Sequence, residues 1–119
     1  MQWYDPVRSD IYDGERQIFK KAGKKMKVAL VQMEIKEKNC AGNTKHGLQL
    51  LEDAARKSDL VILPEIWTTG YSLGHLREEA VTMNSPLVHE ICGIAKTYQC
   101  SLLPGSLPIY KDGAVYNML

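Results

Sequence analysis

Hydrophobic residues along the chain form three short runs that predict strands. They occupy residues 27–33, 60–63 and 100–104, and each run is largely apolar without regular polar alternation. Such runs are typical of strands that are buried on both faces, as in a parallel sheet. Residues 105–108 are predicted to continue the third strand.

The segment between the first two strands has the spacing of an amphipathic helix. Over residues 44–57, Leu48, Leu51 and Ala55 recur at helical intervals opposite a face of charged side chains. Asn43 precedes them and is the predicted N-cap, because an asparagine side chain accepts hydrogen bonds from the free N–H groups of a first turn. We expect this helix to pack on a sheet.

Ser85 and Pro86 predict the start of a second helix, which runs to about Gln99. Short helices are also predicted over residues 76–80 and 14–21. The inward face of the second helix is predicted to hold Leu87, Val88, Ile91, Cys92, Ala95 and Tyr98.

The order of these elements predicts an α/β fold. A strand, a helix and a strand within about forty residues form a β-α-β unit, for which a right-handed crossover is expected. Near the end of the chain, Asp112 and Gly113 predict a hairpin turn, and residues 114–119 are the predicted returning strand.

Composition and charge narrow the function classes. The 119 residues suit one small domain, and a chain of this size buries roughly two thirds of its unfolded surface. The formal net charge of +1 gives no electrostatic reason to expect binding to nucleic acid or to an anionic membrane surface. No apolar run approaches the length of a membrane span, and residues 1–25 lack the apolar core of a secretory signal. We therefore predict neither nucleic acid nor a membrane as a partner.

Cysteine and histidine usage bears on compartment and metal binding. The three cysteines are an odd number without close spacing, which argues against a disulfide framework and favours reduced thiols in the cytoplasm. The three histidines are scattered, and no Cys–His pair has the spacing of zinc ligands. We predict a cytoplasmic protein without a metal.

Residues 1–25 are predicted to form a polar, flexible extension outside the fold. They contain Asp-Pro and Asp-Gly breakers and end in the basic run 20–25, which is either a solvated tail or a patch for localisation or anion binding. Met26 stands immediately before the first strand. The ordered domain is therefore expected over residues 26–119.

A carboxylate directly follows the central strand. Pro64 ends the apolar run because proline has no N–H for a strand ladder, and Glu65 comes next. In open α/β sheets, ligands bind at the carboxyl ends of the strands. By position alone, Glu65 is a solvated loop carboxylate, a charge at a helix N-terminus or a residue of an active site. Gly70 permits a positive φ in the loop that leads to Tyr71.

The sequence around Glu65 resembles the glutamate motif of the nitrilase, or carbon–nitrogen hydrolase, superfamily. The motif is Leu63-Pro64-Glu65-Ile66-Trp67-Thr68-Thr69-Gly70-Tyr71. The likeness covers residues 26–119 and includes Gln32, Asn43, 104–106 and 115–117. The tryptophan form is most similar to members assigned as ω-amidases, which act on amides of 2-oxo acids. The resemblance implies the N-terminal half of a four-layer α-β-β-α sandwich, usually paired as a dimer through outer helices.

The resemblance also implies a mechanism that needs no metal or organic cofactor. In the family, a glutamate takes the proton of a cysteine thiol, the thiolate attacks a carbonyl or nitrile carbon, and water releases the acid from the acyl-enzyme. A lysine stabilises the tetrahedral anion. Glu65 matches the glutamate and is the predicted catalytic base, while Tyr71 is a candidate substrate-binding residue. Trp67 is expected either to pack in the core or to line the pocket.

The family's lysine and cysteine are expected beyond Leu119. Lys111 lies in the predicted hairpin and is expected to be solvated, and Cys40, Cys92 and Cys100 lack the strand-to-elbow context of a nucleophile. We therefore expect a truncated or split product, inactive alone, that exposes an apolar sheet face. Such a face favours homo-oligomerisation or association with a complementary fragment.

Two other functions stay open at this point. The chain is either a non-catalytic module that pairs with an intact homologue or a complementary fragment, or an unrelated small α/β domain that binds a ligand at Glu65 and Tyr71. A self-contained three-layer sheet would favour the unrelated domain, whereas a sheet with one bare face would not.

Overall fold

A computed structural model describes residues 2–4 and 25–119 of the chain. The predicted helix over residues 14–21 and most of the predicted flexible extension lie outside the described residues. The described elements, in chain order, are β1 (Gln2–Tyr4), β2 (Val28–Leu30), α1 (Cys40–Ala55), β3 (Leu60–Ile62), a 3-10 helix (Leu73–His75), α2 (Leu76–Glu79), α3 (Pro86–Tyr98), β4 (Ser101–Leu103), β5 (Leu107–Lys111) and β6 (Ala114–Met118).

Four strands form the main sheet, in the order β1-β2-β3-β4. The strands β2, β3 and β4 are parallel neighbours, as the three apolar runs predict. The strand β1 pairs antiparallel with β2, in the register Gln2↔Leu30. This strand was not predicted from the sequence, because residues 1–25 were expected to form an extension outside the fold.

One face of this sheet is covered by helices. Ala29 of β2 and Val61 of β3 are register partners with no exposed surface, and they belong to a buried cluster that includes Leu51 of α1 and Ile91 of α3. The two crossovers, from β2 to β3 and from β3 to β4, advance in the same direction across the sheet. Right-handed connections therefore place α1 and α3 on the same face. Burial of this apolar surface supplies the main drive for folding.

The opposite face of the sheet carries a row of aliphatic side chains across three strands. Leu30 pairs with Ile62, and Ile62 pairs with Leu103. Leu30 is 37% exposed and Leu103 is 44% exposed. We call Leu30, Ile62 and Leu103 the aliphatic row. The sheet therefore has one covered face and one partly bare face, which argues against a self-contained three-layer domain.

The helix α1 begins four residues earlier than predicted. Asn39 is its N-cap and accepts a hydrogen bond from Gly42 N, whereas the predicted cap Asn43 lies inside the first turn. Asn43 is 3% exposed, and its side-chain amide bonds to backbone groups of Lys36 and Thr68. The sequence prediction of the cap was wrong because asparagine side chains also satisfy buried loop groups.

The helix α3 has the predicted limits. Ser85 accepts a hydrogen bond from Val88 N, Pro86 occupies the first turn, and Gln99 ends the helix in a left-handed conformation with φ of 50°. Ile91 is buried as predicted. Cys92 is exposed, so its predicted inward position was wrong. The inward face turns past it, and Ile94 packs against the core instead.

A two-stranded hairpin forms the second sheet. The predicted turn is present, with φ of 50° at Asp112 and 83° at Gly113, and β5 pairs antiparallel with β6. The predicted continuation of the third strand through residues 105–108 was wrong. Gly105 has φ of 68° and turns the chain away, so that β5 starts a separate sheet.

Two structural findings bear on the function classes. In the part of the chain that the structure describes, no helix is both long and apolar enough to cross a membrane. Within the same residues, no three His, Cys, Asp or Glu side chains are grouped so that they could hold a metal ion.

Candidate active site

Glu65 lies at the carboxyl end of β3, where the parallel pairing ends. Leu63 N still donates to Leu103 O at 3.0 Å, one residue beyond β3. Pro64 then stops the ladder because it has no N–H. The chain turns over the next seven residues, from Glu65 to Tyr71. The sequence therefore places one carboxylate at the edge of the sheet where ligands of α/β folds bind.

The residue after Glu65 has an unusual backbone. Ile66 has φ of 45°, which is a rare conformation for a β-branched residue. Ile66 is 5% exposed, and its N–H donates to Ser106 Oγ at 2.9 Å. This buried bond, made to the segment between β4 and β5, holds the strained turn in place.

Trp67 anchors the same turn to the core. Its side chain has no exposed surface, and Nε1 donates to Pro104 O at 2.8 Å. A Cβ at residue 47 would overlap the indole ring, and a Cβ at residue 105 would come within 2.9 Å of Trp67 Cδ1. Gly47 and Gly105 therefore make the space in which Trp67 packs. Of the two expectations for Trp67, packing in the core is the one that the structure shows.

Both carboxylate oxygens of Glu65 accept hydrogen bonds. Tyr71 donates its hydroxyl proton to Oε2 at 2.7 Å, and Asn117 Nδ2 donates to Oε1 at 2.7 Å. The bond from Tyr71, and then the bond from Asn117, lower the pKa of Glu65 below its ordinary value, against a smaller opposing effect of burial. The side chain is exposed but oriented, and at neutral pH it is a carboxylate.

Tyr71 follows the loop that the sequence analysis identified. Gly70 has φ of 64°, and so uses the positive φ that a glycine was predicted to permit in this loop. Gly70 N donates to Ile66 O at 2.8 Å. Tyr71 is 68% exposed. Its hydrogen bond to the Glu65 carboxylate, followed by burial, raises the pKa of the Tyr71 phenol. The two predicted site residues are thus in direct contact, and a role of Tyr71 in substrate binding stays a prediction.

The loop between Trp67 and Tyr71 is fixed from α1. Asn43 Nδ2 donates to Thr68 O at 3.0 Å, and Asn43 also bonds to both backbone groups of Lys36. Thr68 and Thr69 are buried at 3% and 6% exposure. The loop is therefore held by side-chain bonds where no ladder exists to satisfy its backbone.

Neither the cysteines nor Lys111 joins Glu65. Cys40 is the first residue of α1, and burial, then a bond with Glu79, raises the pKa of its thiol. Cys100 is buried, and burial followed by the charge of Asp59 raises its thiol pKa. Cys92 and Lys111 are exposed. A raised pKa keeps a thiol protonated and unreactive.

Two surface cavities lie apart from Glu65. One, of about 450 Å³, lies between α1 and α3 and includes Glu52 and Tyr98. The other, of about 190 Å³, is lined by Lys38, Cys40, Thr69, Ser72, His75 and Glu79. The second shares the loop that carries Tyr71 but does not include the carboxylate itself.

Asn117 and Ser106 are the site residues to which the sequence analysis gave no role. Both belong to segments that support the family resemblance, 115–117 and 104–106, and that membership was the available signal. Ser106 stabilises the turn after Glu65, and Asn117 reaches the carboxylate from β6. Their sequence distances from Glu65 concealed these contacts.

Comparison with known proteins identifies relatives of this chain. The sequence model of the carbon-nitrogen hydrolase family matches residues 27–119. A 2-oxoglutaramate amidase of Bacillus subtilis is 28% identical over 95 residues, which are 80% of this chain and 37% of that protein. A hydrolase of Schizosaccharomyces pombe is 35% identical over 72 residues, which are 59% of this chain and 22% of that protein.

A solved structure shows the same fold. The crystal structure of a CN-hydrolase superfamily protein from Xanthomonas campestris, with an arsenic adduct in its active site, matches with a TM-score of 0.67 and 34% identity. The match covers 77% of this chain and 34% of that one. The chain therefore spans between about a fifth and two fifths of the length of these relatives.

Proposed function

Because the chain belongs to the carbon–nitrogen hydrolase family, we propose that Glu65 is the general base of an amide hydrolase whose remaining catalytic groups lie outside these 119 residues. The observation that carries the proposal is the position of Glu65, at the carboxyl end of β3 with both oxygens hydrogen-bonded. A freely solvated loop carboxylate would not be oriented both by Tyr71 of its own loop and by Asn117 on β6. The proposed substrates are small amides, with amides of 2-oxo acids as the first class to test.

The proposed chemistry uses Glu65 to move a proton. A cysteine thiol gives its proton to the carboxylate, the thiolate attacks the amide carbon, and the nitrogen leaves after protonation. Water then cleaves the acyl-enzyme, and a lysine stabilises the tetrahedral anions. Within the described residues, the hydrogen-bonding partners of Glu65 are Tyr71 and Asn117. These residues therefore supply and orient the base, but neither a nucleophile nor a cation.

The first experiment measures ammonia release by the 119-residue chain from 2-oxoglutaramate and from simple amides. We expect no turnover above background, and the same result for Glu65→Gln. Turnover that disappears in Glu65→Gln would support the hydrolase but refute the proposal that its site is incomplete.

The second experiment supplies the missing groups. The chain is mixed with the C-terminal portion of the Bacillus subtilis 2-oxoglutaramate amidase, from which the matched segment has been removed. We expect ammonia release that depends on Glu65 and is lost in Glu65→Gln. A stable complex that stays inactive, or that is equally active with Glu65→Gln, would refute the general-base role. Lys111→Gln is the matched control, because this exposed lysine is expected to have no part in turnover.

The second candidate function is a non-catalytic module that associates with an intact homologue or a complementary fragment. The exposure of the aliphatic row favours it, because Leu30 and Leu103 are 37% and 44% exposed on a face that the helices do not cover. Leu103→Lys is expected to weaken association in size-exclusion chromatography, and homo-oligomers of the chain alone should dissociate in the same way. A wild-type chain that is monomeric alone, and that forms no complex, would contradict this function.

The free cysteines suggest where the protein works. Cys40, Cys92 and Cys100 are all unpaired, which is typical of proteins in a reducing compartment. The proposed location is therefore the cytoplasm.

A further inference from the structure

The two hydrogen bonds to Glu65 come from parts of the molecule that differ in how firmly they are held. Asn117 lies on β6, next to Pro108 of β5 in the strand register. On its other edge, β5 is bonded to Val81, through Val81 N to Pro108 O at 3.0 Å and Tyr110 N to Val81 O at 2.8 Å. The strand β5, which pairs with the backbone of Asn117, is therefore hydrogen-bonded along both of its edges.

The core also holds this hairpin. Leu107 and Ile109 are 5% and 2% exposed, and both belong to the buried cluster that contains Trp67. Since Trp67 is two residues from Glu65, the hairpin that carries Asn117 and the turn that carries Glu65 share one packed core through β5. Their separation is therefore set by packing rather than by the single hydrogen bond.

Tyr71 has no comparable support. It lies outside the helices and strands, follows Gly70 at φ of 64°, and is 68% exposed. Its ring therefore packs little, and the contact that orients its side chain is the hydroxyl bond to Glu65 Oε2. Rotation of the exposed Tyr71 side chain into solvent would therefore break this bond without any change in the core.

We propose that Asn117 is the positioning residue that fixes Glu65, and that Tyr71 is a releasable second donor that controls how readily this carboxylate accepts a proton. The proposal rests on the general-base role proposed above. A general base that takes a proton from a thiol is most efficient when its pKa lies near the pH at which the enzyme works. Two donors hold the pKa of Glu65 below its ordinary value, and Tyr71 contributes the larger effect. Release of Tyr71 would raise the proton affinity of Glu65 while Asn117 keeps the carboxylate in place.

The experiment uses the 119-residue chain and needs no turnover. Glutamate carboxyl carbons are labelled with carbon-13, the Glu65 signal is identified by its loss in Glu65→Gln, and its titration with pH is followed by NMR. The same samples give the side-chain rotamer averaging of Glu65 from scalar couplings. The variants are Tyr71→Phe and Asn117→Ala, with Tyr116→Phe as a control, because Tyr116 is an exposed tyrosine beside Asn117 with no bond to Glu65.

We expect Tyr71→Phe to raise the titration midpoint of Glu65 towards its ordinary value without new rotamer averaging. Asn117→Ala should raise the midpoint less and should increase the averaging, while Tyr116→Phe should change neither. An unchanged midpoint in Tyr71→Phe, or averaging that appears in Tyr71→Phe and not in Asn117→Ala, would overturn the proposal.

The activity of the complemented mixture tests the general-base role of Glu65 independently of the titration. If the midpoints shift as expected but the complemented mixture keeps its activity in Glu65→Gln, the proposed function fails while the description of the two donors holds. If the complemented mixture depends on Glu65 but Tyr71→Phe leaves both the midpoint and the acid limb of the pH profile unchanged, the function stands and the role of Tyr71 is refuted.

Discussion

Gly105 gives the sharpest test of how the turn after β3 is built. Its φ of 68° lies in the left-handed region, and a Cβ there would overlap the carbonyl oxygen of Pro64. Gly113 has φ of 83° in the hairpin turn, but a Cβ there would have no heavy atom within 4 Å. The two glycines share a backbone conformation and differ in their surroundings. Alanine substitutions at the two positions therefore separate backbone strain from close packing.

The expected magnitudes follow from this difference. An alanine in the left-handed region costs about 1–2 kcal/mol, which is the whole effect for Gly113→Ala. Gly105→Ala adds the overlap with a buried backbone atom, and overpacking of this kind costs about 1–3 kcal/mol. The total for Gly105→Ala, about 2–5 kcal/mol, is a large part of the free energy of unfolding of a small domain.

The measurement is urea denaturation followed by far-ultraviolet circular dichroism. With a slope of about 1.5 kcal/mol per molar urea, Gly113→Ala lowers the midpoint by about 1 M and Gly105→Ala by about 1.5–3 M. Failure of Gly105→Ala to fold, while Gly113→Ala folds, is the extreme form of the same result. Equal midpoints for the two variants would refute the close approach of residue 105 to Pro64, and with it the described packing beneath Glu65.

Three further predictions follow from side-chain bonds and exposure. Asn43→Ala should lower the free energy of unfolding by about 2–4 kcal/mol because it leaves buried loop groups unpaired. Asn39→Ala should lower it by about 1 kcal/mol, as is usual for an N-cap. Thermal unfolding of both variants tests this order, and equal losses of stability would contradict it. Hydrogen bonds from Tyr98, and then from Arg56, lower the pKa of Glu52 in the folded state. The ionised Glu52 therefore contributes its whole stabilisation at pH values above the ordinary glutamate pKa of 4.5. This contribution is lost as the pH falls through the lower pKa of the folded state. Urea midpoints should therefore fall less steeply with acid in Tyr98→Phe than in the wild type, and parallel curves would exclude the effect. The exposed Cys92 should react with a thiol reagent before the other two cysteines, and a Cys92→Ser variant that keeps the fast phase would disprove this.

The sequence predicted the elements of the fold better than their connections. The parallel strands and the helix from Ser85 to Gln99 were predictable because their hydrophobic spacing and caps are local signals. The separate hairpin sheet was not, since only the tertiary contact of Gly105 with Pro64 shows that the chain must turn there. The cap at Asn43 was mistaken for the same reason, because its buried partners come from elsewhere in the chain.

In the candidate site, too, the sequence predicted the local features but not the contacts between distant segments. The position of Glu65 after a buried strand is a sequence signal, and so is the freedom of Gly70. The contact between Glu65 and Tyr71 spans only six residues. The bond from Asn117 spans 52 residues, and no periodicity or turn rule relates the two positions. Residue propensities also do not predict the left-handed backbone of Ile66, because its packing in the core imposes this conformation.

The long reach of Asn117 has a consequence for the order of events in biosynthesis. Glu65 and Tyr71 leave the ribosome close together, but the donor to the other carboxylate oxygen emerges 52 residues after Glu65. Closing so long a loop is entropically costly until the intervening helices and strands have folded. On a nascent chain, the carboxylate is therefore oriented last, after translation has passed the hairpin, and a ribosome stalled before that point would carry a formed sheet with an unfinished site.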